Sequence, residues 1–461
     1  VALSALEFLI LKAISRICEH MPATPRFYIE DALKHDGQTV TVKGWVYNVR
    51  SSGKIKFLQM RDGTGQMQGI LFKGECSEDA FTAFDRLTQE SSFEATGVVR
   101  KDPRREGVYE MGIRDLKVVQ VAEPYPITPK EHGVAFLMEH RHLWIRSQRQ
   151  WAALRVRSEI FRAINEFFDT RGFIRFDAPI LTPSSCEGTS TLFQTPYFEE
   201  KAFLTQSGQL YGEVGAMAFG KVYVFGPTFR AEKSMTRKHL TEFWMVEPEV
   251  AFNNLDDNMQ LGEEFIEHII QSVIARRAPE LKILERNVAE LEAIKGPFPR
   301  ISYDEALQIL ERRGVALPWG EDFGAPHETA LGEEFGKPVF IHHMPAQIKA
   351  FYFKQSDTVG GPGVTGTGKY ALGCDLIAPF GYGEIIGGGQ REENVDVLKR
   401  RVEEHKLSEA DYSWYMDLRR YGSVPHSGFG LGVERTVAWI TGVEHVRETI
   451  PFPRMMNTLR P

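Results

Sequence analysis

The sequence predicts an α+β protein with a small β-barrel towards its N-terminus. From Gln38 to about Val121 short, alternating strands follow one another with turn residues between them. Beyond that stretch strands alternate with helices, but the strand signals come mostly as antiparallel hairpins, which fits α+β better than a doubly wound sheet. At 461 residues the chain is too long for one compact core, so two or three domains are expected. Apolar residues at 42% and charged residues at 25% describe an ordinary globular composition.

The first twenty residues, VALSALEFLILKAISRICEH, have an apolar helical look broken by Glu7, Lys12 and Arg16. With no basic leader before the apolar run and no small-residue cleavage site after it, a signal peptide is not expected, and the run is too short and too charged to span a bilayer. It reads either as an extension foreign to the body or as an amphipathic helix docked on it. A barrel domain is expected over residues 21–122. TVTVKGWVYNVR alternates apolar and polar, and KIKFLQMRDGTGQMQGILF reads as two strands around an Asp-Gly-Thr-Gly turn. SSFEATGVVRKD and YEMGIRDLKVVQVA supply two more strands, and SEDAFTAFDRLTQE reads as a helix between them. Five short strands in about ninety residues suggest a barrel of the OB type. Proline-rich EPYPITPKEHG marks a linker, taken as residues 123–146. A helix is then predicted from Ser147 to Thr170, with Leu154, Ile160, Phe161, Ile164, Phe167 and Phe168 apolar and Gly172 as its stop. It opens a second domain over residues 147–461. The segment from Leu281 to Pro338 gives two helix-like stretches around GPFPRISY and no clearer reading.

The net charge of -7 argues against a generally basic nucleic-acid coat without excluding a local basic face. Cys18, Cys76, Cys186 and Cys374 are far apart and form no C-x-x-C pair, which reads as a reduced, cytoplasmic protein without a zinc site.

Three stretches carry chemistry. In FGPTFRAEKSMTRKHLTEFWMVEPEVAF a hairpin brings Arg230 and Phe243 together at its open end, where a guanidinium can hold a phosphate and a ring can stack a purine. In GCDLIAPFGYGEIIGGGQREE two strands flank a Gly-Tyr-Gly turn and set Asp375 near Glu384, a pair of the kind Mg²⁺ takes together with phosphate oxygens. Gly387 to Gly389 leave room for a ligand at the backbone, and Arg391 follows. In GFGLGVERTVAWITG a glycine-rich strand end feeds a helix with the stripe Val433, Val437, Ile440. Arg435 lies off that stripe in the first turn, where the helix dipole disfavours a cation. A nearby anion or ring, or a partner in Glu434, accounts for it.

These stretches, in this order, resemble the signature motifs of the class II aminoacyl-tRNA synthetases. RGFIRFDAPILTPS resembles motif 1, with Pro179 at a dimer seam; FRAEKSMTRKHLTEF resembles motif 2; GFGLGVERTVAWITG resembles motif 3. With a barrel before them they look like the aspartyl/asparaginyl/lysyl subgroup, and the likeness runs from about Asp36 to Pro461. The resemblance implies a homodimer that uses ATP and Mg²⁺. Arg230 would grip the ATP α-phosphate, Phe243 would stack the adenine, and Arg435 would cover its other face and reach the γ-phosphate. Glu232 and His239 would line the adenine and pyrophosphate side, and Asp375 and Glu384 would hold the metal. Glu187 would meet the substrate α-ammonium, with Ser207 and Gln209 beside it.

The segment QSGQLYGE bears on the amino acid. Aspartate-specific relatives carry a Lys where this chain has Gly212, followed here by Glu213, while Arg391 is retained. Arg391 can donate to an oxygen of either acid or amide; Glu213 accepts from an amide NH₂ and repels a carboxylate. Two like charges about 4 Å apart cost roughly 4 kcal/mol at an effective dielectric of 20. Asparagine and tRNA(Asn) are therefore the expected substrates. An aspartate ligase, a tRNA-independent amide-forming ligase and a non-enzymatic RNA-binding relative stand as alternatives. PAQIKAFYFKQ also resembles the asparaginyl pattern, with no separate physical reason attached. In this subgroup the barrel reads the anticodon. Phe57 is the candidate stacking ring, or else a core ring; Gln68 and Glu90 match contacts to the central base, and Arg50 a phosphate contact.

Overall fold

The computed structural model describes residues 27–183, 186, 192–356 and 369–461. The first twenty residues and Glu187 lie outside them. The chain divides into two compact units, residues 1–132 and 133–461.

In the first unit β1 (Thr39–Ser52), β2 (Ile55–Arg61), β3 (Gln66–Phe72), β4 (Ser92–Lys101) and β5 (Tyr109–Gln120) close a barrel in the order β1-β2-β3-β5-β4. Strand alternation sorts the side chains: Leu58, Met60, Met67 and Leu71 fill the interior, whereas Phe57 and Gln68 stand on the outer face. The β2–β3 turn is set by Asp62, whose carboxylate accepts from the backbone of Thr64 (2.9 Å) and Gly65 (3.2 Å). The predicted helix is shorter than expected. It runs as α1 (Glu78–Ala83), capped by Ser77, and ends in a 3₁₀ turn over Phe84–Arg86.

The second unit opens with a short helix, Val134–Glu139. The long helix α2 (Gln148–Thr170) follows Ser147 as predicted and buries Ala152, Val156, Ile160, Ala163, Ile164 and Phe167. The strands then come as β6 (Ile174–Arg175), β7 (Leu181–Thr182), β8 (Gln194–Tyr197) and β9 (Glu200–Leu204), with α3 (Gln209–Phe219) after them. Next are β10 (Lys221–Phe229), β11 (Glu242–Ala251) and α4 (Leu255–Ile283), whose start is fixed by a capping box between Asn254 and Asp257. The segment that the sequence left unread ends α4 and contributes β12 (Arg300–Ser302), α5 (Tyr303–Arg312) and α6 (Ala325–Phe335). Its apolar residues Tyr303, Ile309, Leu310 and Leu331 pack on Val339, Ile341 and Ile377 as a satellite core. The chain finishes with β13 (Val339–Pro345), β14 (Tyr370–Ala378), β15 (Gly383–Gln390), α7 (Val395–Glu404), α8 (Ser413–Arg420), β16 (His426–Gly432) and α9 (Val433–Thr441).

Eight strands form one sheet in the order β12-β13-β14-β15-β16-β11-β10-β6, antiparallel except at its two outermost pairs. Strands β7, β9 and β8 make a small second sheet. The main core lies between the large sheet and α2, α4 and α9.

Candidate active site and barrel groove

The working face of the large sheet follows from strand periodicity. Phe243, Met245, Glu247 and Glu249 alternate along β11 and share one face. Six residues of strand separate the first from the last, on the order of 20 Å. That length suits a nucleotide laid end to end with an amino acid. Beside β11, Met245 pairs with Gly432 and Glu249 with Gly428; on the next strand Gly387 pairs with Gly430. A Cβ on Gly428 would collide with the Glu249 carboxylate, and one on Gly430 with the Met245 side chain. The glycines thus form the floor of a trough walled by β11.

At one end a pocket is lined by Arg230, Glu232, His239, Phe243, Glu384 and Arg435, together with Lys238, Met245 and Glu434. Every side chain assigned to ATP from the sequence therefore meets in one place. The Arg230 guanidinium lies 5.4 Å from the Phe243 ring centroid. Arg435 donates to the Glu384 carbonyl at 2.9 Å and stands 3.9 Å from its carboxylate. Glu434 is not its partner: it is buried against Arg157 (2.8 Å) and accepts from the Trp244 backbone at 2.9 Å. His239 sits 4.0 Å from Glu232 and hydrogen-bonds Thr236. Burial first, then Arg435, lowers its pKa and favours the neutral ring.

Asp375 and Glu384 converge as their hairpin requires. A Cβ on Gly387 would lie 2.6 Å from a Glu384 oxygen and 3.6 Å from an Asp375 oxygen, so both carboxylates aim at the space above that glycine. This donor set suits a hard cation that also takes phosphate oxygens. Sequence reasoning missed Lys349, whose ammonium lies 2.8 Å from both Asp375 oxygens. Burial opposes the charge on Lys349, but Asp375 and Glu384 outweigh it and raise its pKa. Burial, with Glu384 adding, pushes Asp375 up to about 7 against the pull of Lys349.

At the other end of the trough Arg391 is buried between two acids. Its Nη2 donates to Glu249 at 2.5 Å and its Nε to the same carboxylate at 3.3 Å. Its Nη1 is buried and has no hydrogen-bond partner among the described residues. Burial, with Glu213 adding, pushes Glu249 up to about 7, while Arg391 opposes. Glu247 accepts from the Gly208 backbone (2.8 Å) and from Ser207. Glu247 and Glu249 were not anticipated, although their i, i+2 spacing on a predicted strand already places them on one face.

Glu213, expected from the sequence to accept from an amide NH₂ of the substrate, is met by protein donors. It is fully buried on α3 and takes four protein donors: Gln209 at 3.0 Å, Tyr415 at 2.8 Å, Arg419 at 2.7 Å and His426 at 2.9 Å. Arg391 stands 3.9 Å away. Burial would raise its pKa, but Arg419, His426 and Arg391 prevail and hold it well below the usual carboxylate range. Gln209 is reached because it lies one helical turn before Glu213. Tyr415, Arg419 and His426 come from some two hundred residues further on, which local sequence cannot show. Ser207 and Gln209 are buried at the same end.

On the barrel a groove of the outer face is lined by Tyr47, Arg50, Phe57, Gln59, Gln66 and Gln68. The Arg50 guanidinium covers Phe57 at 4.5 Å, and the Gln68 amide nitrogen is buried without a partner among the described residues. Phe57 is thus a surface ring and not a core ring. Glu90 does not line this groove. It is buried and paired with Arg61, whose cross-strand neighbour Gln66 does line it.

The family model for class II tRNA synthetases (D, K and N) matches residues 134–456, and that for an OB-fold nucleic acid binding domain matches residues 40–119. The asparagine–tRNA ligase of Koribacter versatilis is 56% identical over 450 residues, covering 96% of this chain and all of that one. That of Sorangium cellulosum is 55% identical over 454 residues, with 96% and 100% covered. Among solved structures, asparaginyl-tRNA synthetase from Pyrococcus horikoshii complexed with asparaginyl-adenylate superposes with a TM-score of 0.89 at 41% identity, over 95% of this chain and 99% of that one. An aspartyl-tRNA synthetase from Entamoeba histolytica gives 0.78 at 26%, over 96% and 94%. The chain belongs to the class II tRNA synthetases of the D, K and N group, where relatives sharing more than half of its residues are asparagine–tRNA ligases.

Proposed function

We propose that the chain ligates L-asparagine to tRNA(Asn), through an asparaginyl-adenylate, with release of pyrophosphate and then AMP. The observation that carries the amino acid is Arg391: one buried donor without a partner among the described residues, beside a buried carboxylate, with glycine at position 212 where the resemblance gives aspartate-specific relatives a lysine. Its Nη1 donates to the side-chain carbonyl of asparagine, and Glu249, or Glu247 behind Ser207, accepts from the amide NH₂. Glu213 belongs to this end of the site as the support of Arg391 and Gln209. Glu187 meets the α-ammonium.

The reaction asks the protein for position and charge. The asparagine carboxylate attacks the α-phosphorus, pyrophosphate leaves, and a ribose hydroxyl of the tRNA end later takes the acyl group. Arg230 steadies the charge that grows on the phosphate, Phe243 and Arg435 hold the adenine between them, and His239 and Glu232 border the departing side. No protein nucleophile is needed. Asp375 and Glu384 are the residues that hold Mg²⁺, which supplies charge neutralisation to the phosphates when bound. The barrel groove takes the anticodon, with Phe57 as stacking platform, Gln68 as base reader and Arg50 at phosphate; Glu90 acts through Arg61. We assign the active form to a cytoplasmic homodimer joined through the motif 1 region; among the described residues no helix is long and apolar enough to cross a membrane.

Amino-acid-dependent ATP–pyrophosphate exchange tests this reading. Exchange with asparagine at least a hundredfold above aspartate is expected, followed by charging of tRNA(Asn). Equal exchange with both acids would overturn the assignment to asparagine.

A further inference from the structure

Behind the amino-acid end stands a buried cluster that takes no direct part in the chemistry above. Helix α8 presents Tyr415 and Arg419 on one face, four residues apart. It is docked on α3 by the stacked rings of Tyr211 and Trp414, 5.2 Å between centroids. Arg419 and Tyr415 both bond Glu213, and Arg419 also donates to the Glu392 carbonyl at 2.8 Å, next to Arg391 in the chain. His426 closes the cluster from β16.

The distances show what this arrangement does. Glu213 is 2.7 Å from Arg419 but 3.9 Å from Arg391, beyond hydrogen-bond reach. Arg391 therefore spends its Nε and Nη2 on Glu249 and keeps Nη1 for a ligand. Without the Arg419 cation, the anion next to Arg391 would be short of a partner, and the nearest remaining guanidinium is Arg391 itself.

We propose that Arg419, assisted by Tyr415, is a positioning residue for amino-acid selection: it satisfies Glu213 so that Arg391 stays aimed at the substrate side chain. This deepens the asparagine reading and rests on it. The test is steady-state pyrophosphate exchange by Arg419→Met, Arg419→Lys, Tyr415→Phe, Glu213→Gln and the pair Arg419→Met with Glu213→Gln, with melting temperatures alongside. Arg419→Met should raise the KM for asparagine at least tenfold and leave the KM for ATP within twofold. Arg419→Lys should recover part of that loss, and Tyr415→Phe should raise the KM for asparagine about threefold. The double variant should be no worse than Glu213→Gln alone, since the charge that captures Arg391 is then gone. An unchanged KM for asparagine in the folded variants would overturn the proposal, as would parallel rises for asparagine and ATP. Should Arg419→Met fail to fold, Tyr415→Phe, which alters no charge, decides by the same criterion. Lack of asparagine exchange by the unmutated protein would instead sink the substrate assignment.

Discussion

Lys238 Nζ lies 3.1 Å from the Glu328 carboxylate, which ties the loop between β10 and β11 to helix α6, ninety residues away in the chain. Both side chains are mostly shielded, 18% and 14% exposed. Lys238 lines the pocket proposed for ATP, and the contact passes over Gly383, where φ is +78° and any side chain would collide with Glu328. The segment with no legible role in the sequence thus braces the pocket proposed for ATP. Replacing Glu328 with Gln removes the anion while keeping the shape. A mostly shielded pair of this kind contributes about 1 kcal/mol, or about fivefold. The KM for ATP should rise by that factor with the KM for asparagine unchanged. Identical ATP kinetics would show that the pair is ornamental to the loop.

The barrel groove should be separable from catalysis. Base–aromatic stacking contributes roughly 1–3 kcal/mol per base. Phe57→Ala is therefore expected to lower kcat/KM for tRNA charging about ten- to hundredfold. Pyrophosphate exchange, which needs no tRNA, should stay at the wild-type rate. Because Phe57 is on the outer face and the core neighbours Leu58 and Met60 are untouched, the melting temperature should hold. Loss of exchange together with charging would contradict this division of labour.

These results also show where the sequence was legible. Period-two alternation and the turn residues gave the five barrel strands, because a one-layer barrel writes its inside and outside directly into neighbouring residues. The hairpins around Arg230–Phe243 and Asp375–Glu384 were equally readable, since short turns fix which residues face each other. Residues whose partners lie far along the chain were not. Glu213 looked bare because Arg419, Tyr415 and His426 are brought to it only by tertiary packing. Lys349 lies in the turn past the end of β13, where no periodicity shows that it folds back onto Asp375. Glu247 and Glu249 are a different case. Their spacing was visible, and only the choice of face was missing.

Acid should weaken the catalytic unit through buried imidazoles. His342 is 8% exposed and shares a 2.8 Å Nδ1–Nδ1 contact with His343. Burial, with His343 adding, brings its pKa down to about 4. In the unfolded chain the same ring titrates near 6.5. Between those values the unfolded state binds more protons, so stability is intact above about pH 6.5 and falls as the pH drops towards 4. The full loss is on the order of 3 kcal/mol. Denaturant unfolding of the wild type at pH 7.5 and pH 4.5 should show this drop, and His342→Gln should flatten it. A pH profile parallel for the two proteins would exclude His342 as the source.

Gly212 is where the amino-acid preference should be most easily reversed. A Cβ there would lie 3.2 Å from the Glu249 Cγ, so a side chain from this position runs directly along that carboxylate. Lysine would bring an ammonium to Glu249, compete with Arg391 for it, and add one positive charge to the buried cluster. Asparagine does not answer that charge; aspartate does. An opposite charge at about 4 Å contributes up to roughly 4 kcal/mol at an effective dielectric of 20, before the price of desolvation. Gly212→Lys should therefore shift the ratio of asparagine to aspartate exchange by at least a hundredfold towards aspartate. Most of that shift should come from lost asparagine turnover, because the crowded Cβ also pushes on Glu249. Gly212→Ala serves as the steric control and should cost asparagine no more than about tenfold without helping aspartate. If lysine and alanine lower asparagine exchange equally and neither admits aspartate, position 212 acts by bulk alone, and selection must reside elsewhere around Arg391.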